Sequence, residues 1–272
     1  MTVADEYSAT APLLPRASEE WSTTTLESPH HDFTDSNIDD DSQKAPPQGI
    51  LPLNFQRVVQ RNGITGTFVV DLDLQIPEEL LAPISLSNPG ERGRQNLFLQ
   101  ASNNVFNADV WTRRSQPSTS SELRKAAVTV RSTSSSYDLL QNELRLHIGS
   151  GTSCNLVIYT QSNLSLAIPS DLVGPVTLNV DSNSIYYSPS IRKRLITFGE
   201  EDGKRYCFLG DMKRENYTSR DAWQGSSISV TIAKSWGLGK LHMYALGEAN
   251  PRPLIPRPPT EDSTESTCCV VV

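Results

Sequence analysis

Leu156-Val157-Ile158-Tyr159, Thr160-Gln161-Ser162-Asn163, Leu164-Ser165-Leu166-Ala167-Ile168 is the stretch that decides the fold class. An alternating apolar run is followed by a short polar turn and a second alternating run. Period-two apolarity puts one face of each strand inward and the other toward water. Ser and Asn at the turn bond the nearby backbone and tolerate left-handed conformations. Four more segments share the plan: Asn96–Ala101 with Val105–Trp111, Ala127–Arg131 with Tyr137–Leu140, Val176–Val180 with Ser184–Tyr187, and Ile228–Ile232 with Leu241–Tyr244. First strands beginning near 97, 128, 156, 176 and 228 are spaced 31, 28, 20 and 52 residues apart.

This pattern predicts a single all-β body over residues 64–248. Two architectures fit it: the stacked coils of a β-solenoid, where each unit buries its apolar face against its neighbours, or an open β-sandwich. Helix is scarce, with one short turn expected at Pro77-Glu78-Glu79-Leu80-Leu81. The long last interval holds an insertion, residues 188–226, rich in charge and aromatics. It is expected to cover an edge or end of the sheets, with Phe198, Tyr206, Cys207 and Phe208 as its more buried members.

The ends differ in kind. Residues 1–49 carry ten acidic side chains against Arg16 and Lys44, a net of −8, with few apolar residues to offset ordering entropy. Residues 251–272 are Pro-rich and net −1, so of the total of −7 the body holds +2. Both ends are expected to be disordered, and the body has no basic field suited to nucleic acid. The start lacks a charged-then-apolar profile, and no 18 consecutive apolar residues occur. Cys154 and Cys207 are too few for a disulfide framework. An intracellular, reduced setting is the expectation.

The last residues, Cys268-Cys269-Val270-Val271-Val272, have the C-a-a-X layout read by prenyltransferases: a thiol, two aliphatic side chains and a carboxyl terminus. Terminal valine lies outside the usual X residues, and its bulk points toward geranylgeranyl. One isoprenoid holds a membrane only marginally, because each buried CH₂ contributes about 0.8 kcal/mol. Cys268 is therefore the candidate second signal, by palmitoylation, with the Pro251–Pro259 stretch then acting as a semi-rigid spacer. The competing reading is an apolar end that serves as a ligand for a partner's groove. Arg192-Lys193-Arg194 is the one basic triplet. With Arg113-Arg114, Arg124-Lys125 and Lys213-Arg214 it could form a patch for anionic lipid or an acidic partner, the bland alternative being solvated loop charge.

No catalytic, metal or cofactor constellation is read from the chain. His30-His31 lies in the acidic tail. His147 and His242 alternate with apolar neighbours and read as outward-facing strand positions rather than ligands. Gly149-Ser150-Gly151 is followed by neither Lys nor a helix pattern, so a connecting loop is expected rather than a phosphate site. Cys207, between Tyr206 and Phe208, reads as a buried small hydrophobe, or as a redox thiol if Lys204 and Arg205 lower its pKa.

The lead-in Gly66-Thr67-Phe68-Val69-Val70-Asp71, with Ile76-Pro77 and Leu80-Leu81, resembles the opening of an uncharacterised fungal family whose domain has no known function. The recurring strand–Ser-Asn–strand units and the insertion core Phe198–Asp211 resemble it too, over about residues 64–246. Turns in that family commonly read Ser-Asn-Gly or Thr-Asn-Gly. Here Asn103-Asn104, Ser134-Ser135, Ser162-Asn163 and Asn183-Ser184 lack the glycine, which favours turns longer than a tight type I′. The units are also similar to β-solenoid repeats of bacterial adhesin-like proteins. The resemblance implies a fold and brings no catalytic residues. The functional expectation is a non-catalytic scaffold or interaction protein at the cytoplasmic face of a membrane, with an unknown protein partner. The alternative is a soluble enzyme without a recognisable motif.

Overall fold

A computed structural model describes residues 45–61, 63–81, 94–102, 106–116, 123–133, 141–233 and 239–251. Of the tails expected at 1–49 and 251–272, residues 1–44 and 252–272, with Cys268 and Cys269, lie outside the described residues, as does the strand read at 137–140.

The body is a two-sheet solenoid in which successive strands alternate between the sheets, except where a late hairpin and the strand after it share one sheet. Its first four coils are β1 (Gln56–Gln60) with β2 (Ile64–Asp71), β3 (Leu97–Ser102) with β4 (Phe106–Arg113), β5 (Arg124–Thr133) with β6 (Gln141–Ile148), and β7 (Thr152–Thr160) with β8 (Asn163–Ile168). Then come β9 (Gly174–Asn179) with β10 (Ile185–Tyr187), a helix α1 (Pro189–Arg194), and the hairpin β11 (Leu195–Glu201) and β12 (Lys204–Leu209). β13 (Ser227–Ile232) and β14 (Leu241–Ala245) finish the body. Parallel pairing between coils decides for the solenoid over an antiparallel sandwich, and among the described strands only β9–β12 and β12–β11 run antiparallel. The Gln161-Ser162 turn is therefore a corner between sheets and not a hairpin.

Spatial order departs from chain order. The sheets read β1-β3-β5-β7-β13-β9-β12-β11 and β10-β14-β8-β6-β4-β2, so the last coil made occupies a slot between β7/β8 and β9/β10. Ile158, Val230 and Leu178 align across that slot, as do Leu166, Met243 and Tyr187 on the facing sheet. The connection from β8 to β9 must rise past the slot, about two strand spacings of ~4.8 Å each. Gly174 lies where it passes the chain entering β13. Its φ is +151°, and a Cβ there would stand 1.9 Å from the Ser226 carbonyl oxygen. Glycine alone fits that crossing.

The core runs as ladders of like residues up the stack. Leu99, Val130, Ile158, Val230 and Leu178 form one, and Ala108, Leu144, Leu166 and Met243 another facing it, all buried. Each Val, Leu or Ile so buried contributes about 1.5–3 kcal/mol. Polar groups at the corners find partners across coils. Asn96 donates to Asn54 Oδ1 (2.8 Å) and accepts from the Ala127 amide (2.7 Å). Asn142, fully buried, donates to Thr160 Oγ1 (2.9 Å) and accepts from the Phe106 amide (3.0 Å).

Two expectations need correction. The body starts before residue 64, because β1 and a Leu53 bridge to Val70 already belong to it. Within the insertion, Cys207 and Phe208 are buried but Phe198 and Tyr206 are exposed. The hairpin extends the eight-stranded sheet beyond β9 and β10, and no described strand of the six-stranded sheet lies opposite β11 or β12. The insertion thus lengthens the sheet at that end and leaves β11 as its edge, and the helical turn appears as a 3-10 turn at Glu78–Leu80.

Candidate functional site

The charged groups that sequence reading gathered into one patch are divided by the fold. Asp71, nearly inaccessible, takes Arg113 Nε at 3.1 Å and the Ser115 hydroxyl. Asp73 takes Arg114 at 3.5 Å and Arg124 at 3.0 Å. This cluster pins the connections after β2 and β4, and its arginines are spent on the fold. Arg57 and Arg131 lie over the Phe98 ring at 4.7 and 5.7 Å, flanking it on the outer face of the eight-stranded sheet. The backbone amides of Lys213 and Arg214 hold the Asp211 carboxylate and so form a turn.

Arg192, Lys193 and Arg194 form the last turn of α1, where cations suit the negative end of the helix dipole. Ile191 of the same helix is buried. Arg194 donates to the Leu172 carbonyl at 2.7 Å, and burial lowers its pKa. Arg192 and Lys193 remain exposed. β10 and β4 stand four strand spacings apart in the six-stranded sheet, roughly 19 Å. The triplet is therefore not joined to the Arg113–Arg114 cluster.

Directly after α1 comes β11, at the end of the eight-stranded sheet. Ile196 and Phe198 are 47% and 57% exposed there, and Glu200, Glu201 and Asp202 follow, all exposed. Glu200 meets Arg205 of β12 at 3.2 Å. A register shift at Phe198 marks a bulge against β12. This end of the molecule combines an open strand edge, two large apolar side chains and charge of both signs.

The outer face of the six-stranded sheet is ordered differently. Arg145 is held by Asp109 through Nε and Nη2 and reaches Glu143 through Nη1 at 3.0 Å, with the Tyr244 hydroxyl at 3.4 Å from the same Glu143. His147 stacks on Trp111 with ring centroids 3.7 Å apart, and His242 on Tyr186 at 4.9 Å. Both histidines point away from the core as expected, yet they are packing partners in a closed polar layer. Asn250 crosses this face and donates to Ser165 Oγ at 2.9 Å. Among the described residues no three His, Cys, Asp or Glu side chains gather as a metal site would require.

The two cysteines of the body are inside it. Burial pushes the Cys154 thiol up to about 12, with Lys125 opposing. Burial likewise raises Cys207, outweighing Thr197 and Arg205, so the thiol is a packed hydrophobe and not an activated nucleophile. Lys125 and Ser153 instead fasten the loop before β13, donating to the Trp223 and Gln224 carbonyls at 2.7 and 2.8 Å. That loop walls a cavity of about 590 Å³ with the Gly149–Gly151 turn. Its polar lining includes Asp171, Glu215 and Asn216, but neither histidine nor cysteine. The Gly149–Gly151 segment is a connecting turn, its geometry closed by Thr152 bonding back to the Gly149 carbonyl. No helix among the described residues is long and apolar enough to cross a membrane.

No curated protein and no solved structure matches the chain. A family model described as a domain of unknown function, DUF7330, matches residues 54–248, from the approach to β1 to the turn after β14. The solenoid and its end cap are thus the whole of the matched region, and the chain belongs to the DUF7330 family.

Proposed function

We propose that this chain is a non-catalytic scaffold, lipid-anchored to the cytoplasmic face of a membrane through Cys269 and Cys268 and engaging a protein partner through its β-body. The carrying observation is the Cys268-Cys269-Val270-Val271-Val272 end, joined to the body by the Pro-rich stretch after Asn250. The body supports the reading by what it spends its chemistry on. Its arginines tie connections together, its thiols are raised and buried, and its histidines stack on aromatic rings. Arg192 and Lys193 would add about 1 kcal/mol each near an anionic leaflet. The 590 Å³ cavity offers two carboxylates, Asp171 and Glu215, with hydroxyl and amide groups but neither histidine nor cysteine beside them.

The test is intact mass together with membrane fractionation after expression in a eukaryotic host. Wild type should carry an isoprenoid and sediment with membranes. Cys269→Ser should lose both properties, while Cys268→Ser should keep the isoprenoid and leave the membrane faster. Identical fractionation of wild type and Cys269→Ser, with no added mass, would refute the anchor.

A further inference from the structure

The far edge of β11 faces no other described strand, and every residue of it after Leu195 is exposed. Such an edge offers a row of backbone donors and acceptors to another strand. What distinguishes this edge is its charge order. Arg192, Lys193 and Arg194 precede it, Ile196, Thr197 and Phe198 form its middle, and Glu200, Glu201 and Asp202 follow. An antiparallel copy reverses that order. Centred on Thr197, it places Ile196 opposite Phe198 and brings the basic last turn of α1 in each copy to the Glu200–Asp202 end of the other. A parallel copy in register would set like charge against like.

We infer that β11 pairs antiparallel with β11 of a second copy across a twofold axis at Thr197, joining two eight-stranded sheets into one. The contact is isologous, so each attractive pair occurs twice. Arg194 is held by the Leu172 carbonyl and Glu200 by Arg205, which leaves the exposed Arg192 and Lys193 of one copy and Glu201 and Asp202 of the other as the charges that set the orientation. Ile196 and Phe198 supply apolar area that the single chain leaves in water. The inference is independent of the lipid anchor.

Sedimentation velocity on the full chain made in bacteria, which attach no isoprenoid, tests it. One strand pair with its flanks is a small interface, so the dimer should be populated at about 100 µM chain and weaken with salt. Lys193→Glu and Glu201→Lys should each raise the dissociation constant about tenfold or more. An equimolar mixture of the two variants should restore association, as should the double variant. Phe198→Lys should be monomeric with an unchanged melting temperature, which separates lost pairing from lost folding. A monomeric wild type would overturn the inference and hand the edge to a strand of another protein. So would a dimer indifferent to both charge changes, or a mixture that stays monomeric.

Discussion

Gly174→Ala tests the crossing that admits the last coil. The new Cβ would stand 1.9 Å from the Ser226 carbonyl oxygen and 3.2 Å from Trp223 Nε1. Backbone meets backbone there, so the two segments must part by roughly 1 Å or more to reach an ordinary contact. Ser226 holds two hydrogen bonds that this movement strains, from Trp223 Nε1 to its carbonyl (2.8 Å) and from the Cys154 amide to its hydroxyl (3.1 Å). Losing them costs about 1 kcal/mol each, and a non-glycine residue in so rare a backbone conformation costs about 1–3 kcal/mol more. The sum is about 3–5 kcal/mol, or a fall in Tm on the order of 10 °C for a body of this size. Gly66→Ala isolates the backbone share, because φ there is +143° and nothing lies within 4 Å of its Cβ. Differential scanning calorimetry should place Gly174→Ala roughly 5 °C below Gly66→Ala. Hydrogen exchange should show β13 and β14 losing protection before β3 to β6. Equal melting of the two variants would refute the account of the crossing.

Stability should also respond to acid. Asp73 is held below its ordinary 3.8 by the Gln116 amide, with Arg114 and Arg124 adding to it. Burial raises Glu248, but hydrogen bonds from Ser188, Ser190 and the Ala245 amide outweigh it and leave the group below its ordinary 4.5. Depressed carboxylates contribute stability that is fully present above their unfolded values and is lost as pH falls through the folded ones. Tm should therefore be steady near neutrality and drop below about pH 4, less steeply in Asp73→Asn; an equal slope in that variant would remove Asp73 from the explanation. In native protein at pH 8, Cys154 and Cys207 should resist a thiol reagent until the chain unfolds, read by mass spectrometry of the labelled peptides. Labelling of either at the rate of a small free thiol would contradict their burial.

Where strands sit was legible from residues 156–168 and their four counterparts, because buried faces in a two-sheet body demand alternation. β1 escaped because an edge coil needs little apolar side chain: Gln56-Arg57-Val58-Val59-Gln60 lies largely exposed. Phe198 and Tyr206 were misjudged because size suggests burial, while the first sits at a bulge in the edge strand and the second pairs with Thr177 on the outer face, the core face being taken by Cys207 opposite Val176. Phe208 is covered instead by Tyr217 and Trp223, ring centroids 5.1 and 5.9 Å away, from a loop that shows no periodicity. The slot taken by β13/β14 was illegible for a different reason. Its neighbours Ile158 and Leu178 are ladder residues like any other, and the deciding contact, Gly174 against Ser226, joins two loops distant in sequence. Of the candidate site, the basic triplet was visible as composition. Its opposition to Glu200, Glu201 and Asp202 emerged only once β11 was placed at an edge.

The displaced last coil also constrains how the protein can be made. During synthesis β9 and β10 emerge before residues 227–245 exist, so β7 and β9 have no strand between them to pair with. The nascent chain cannot grow by adding each coil to the one below. It must either keep a gap one strand wide or leave β9 to β12 waiting until the final segment clears the ribosome. A chain broken off before Ser227 therefore loses its fifth layer from the interior of the stack and with it the bond between the cap and everything beneath.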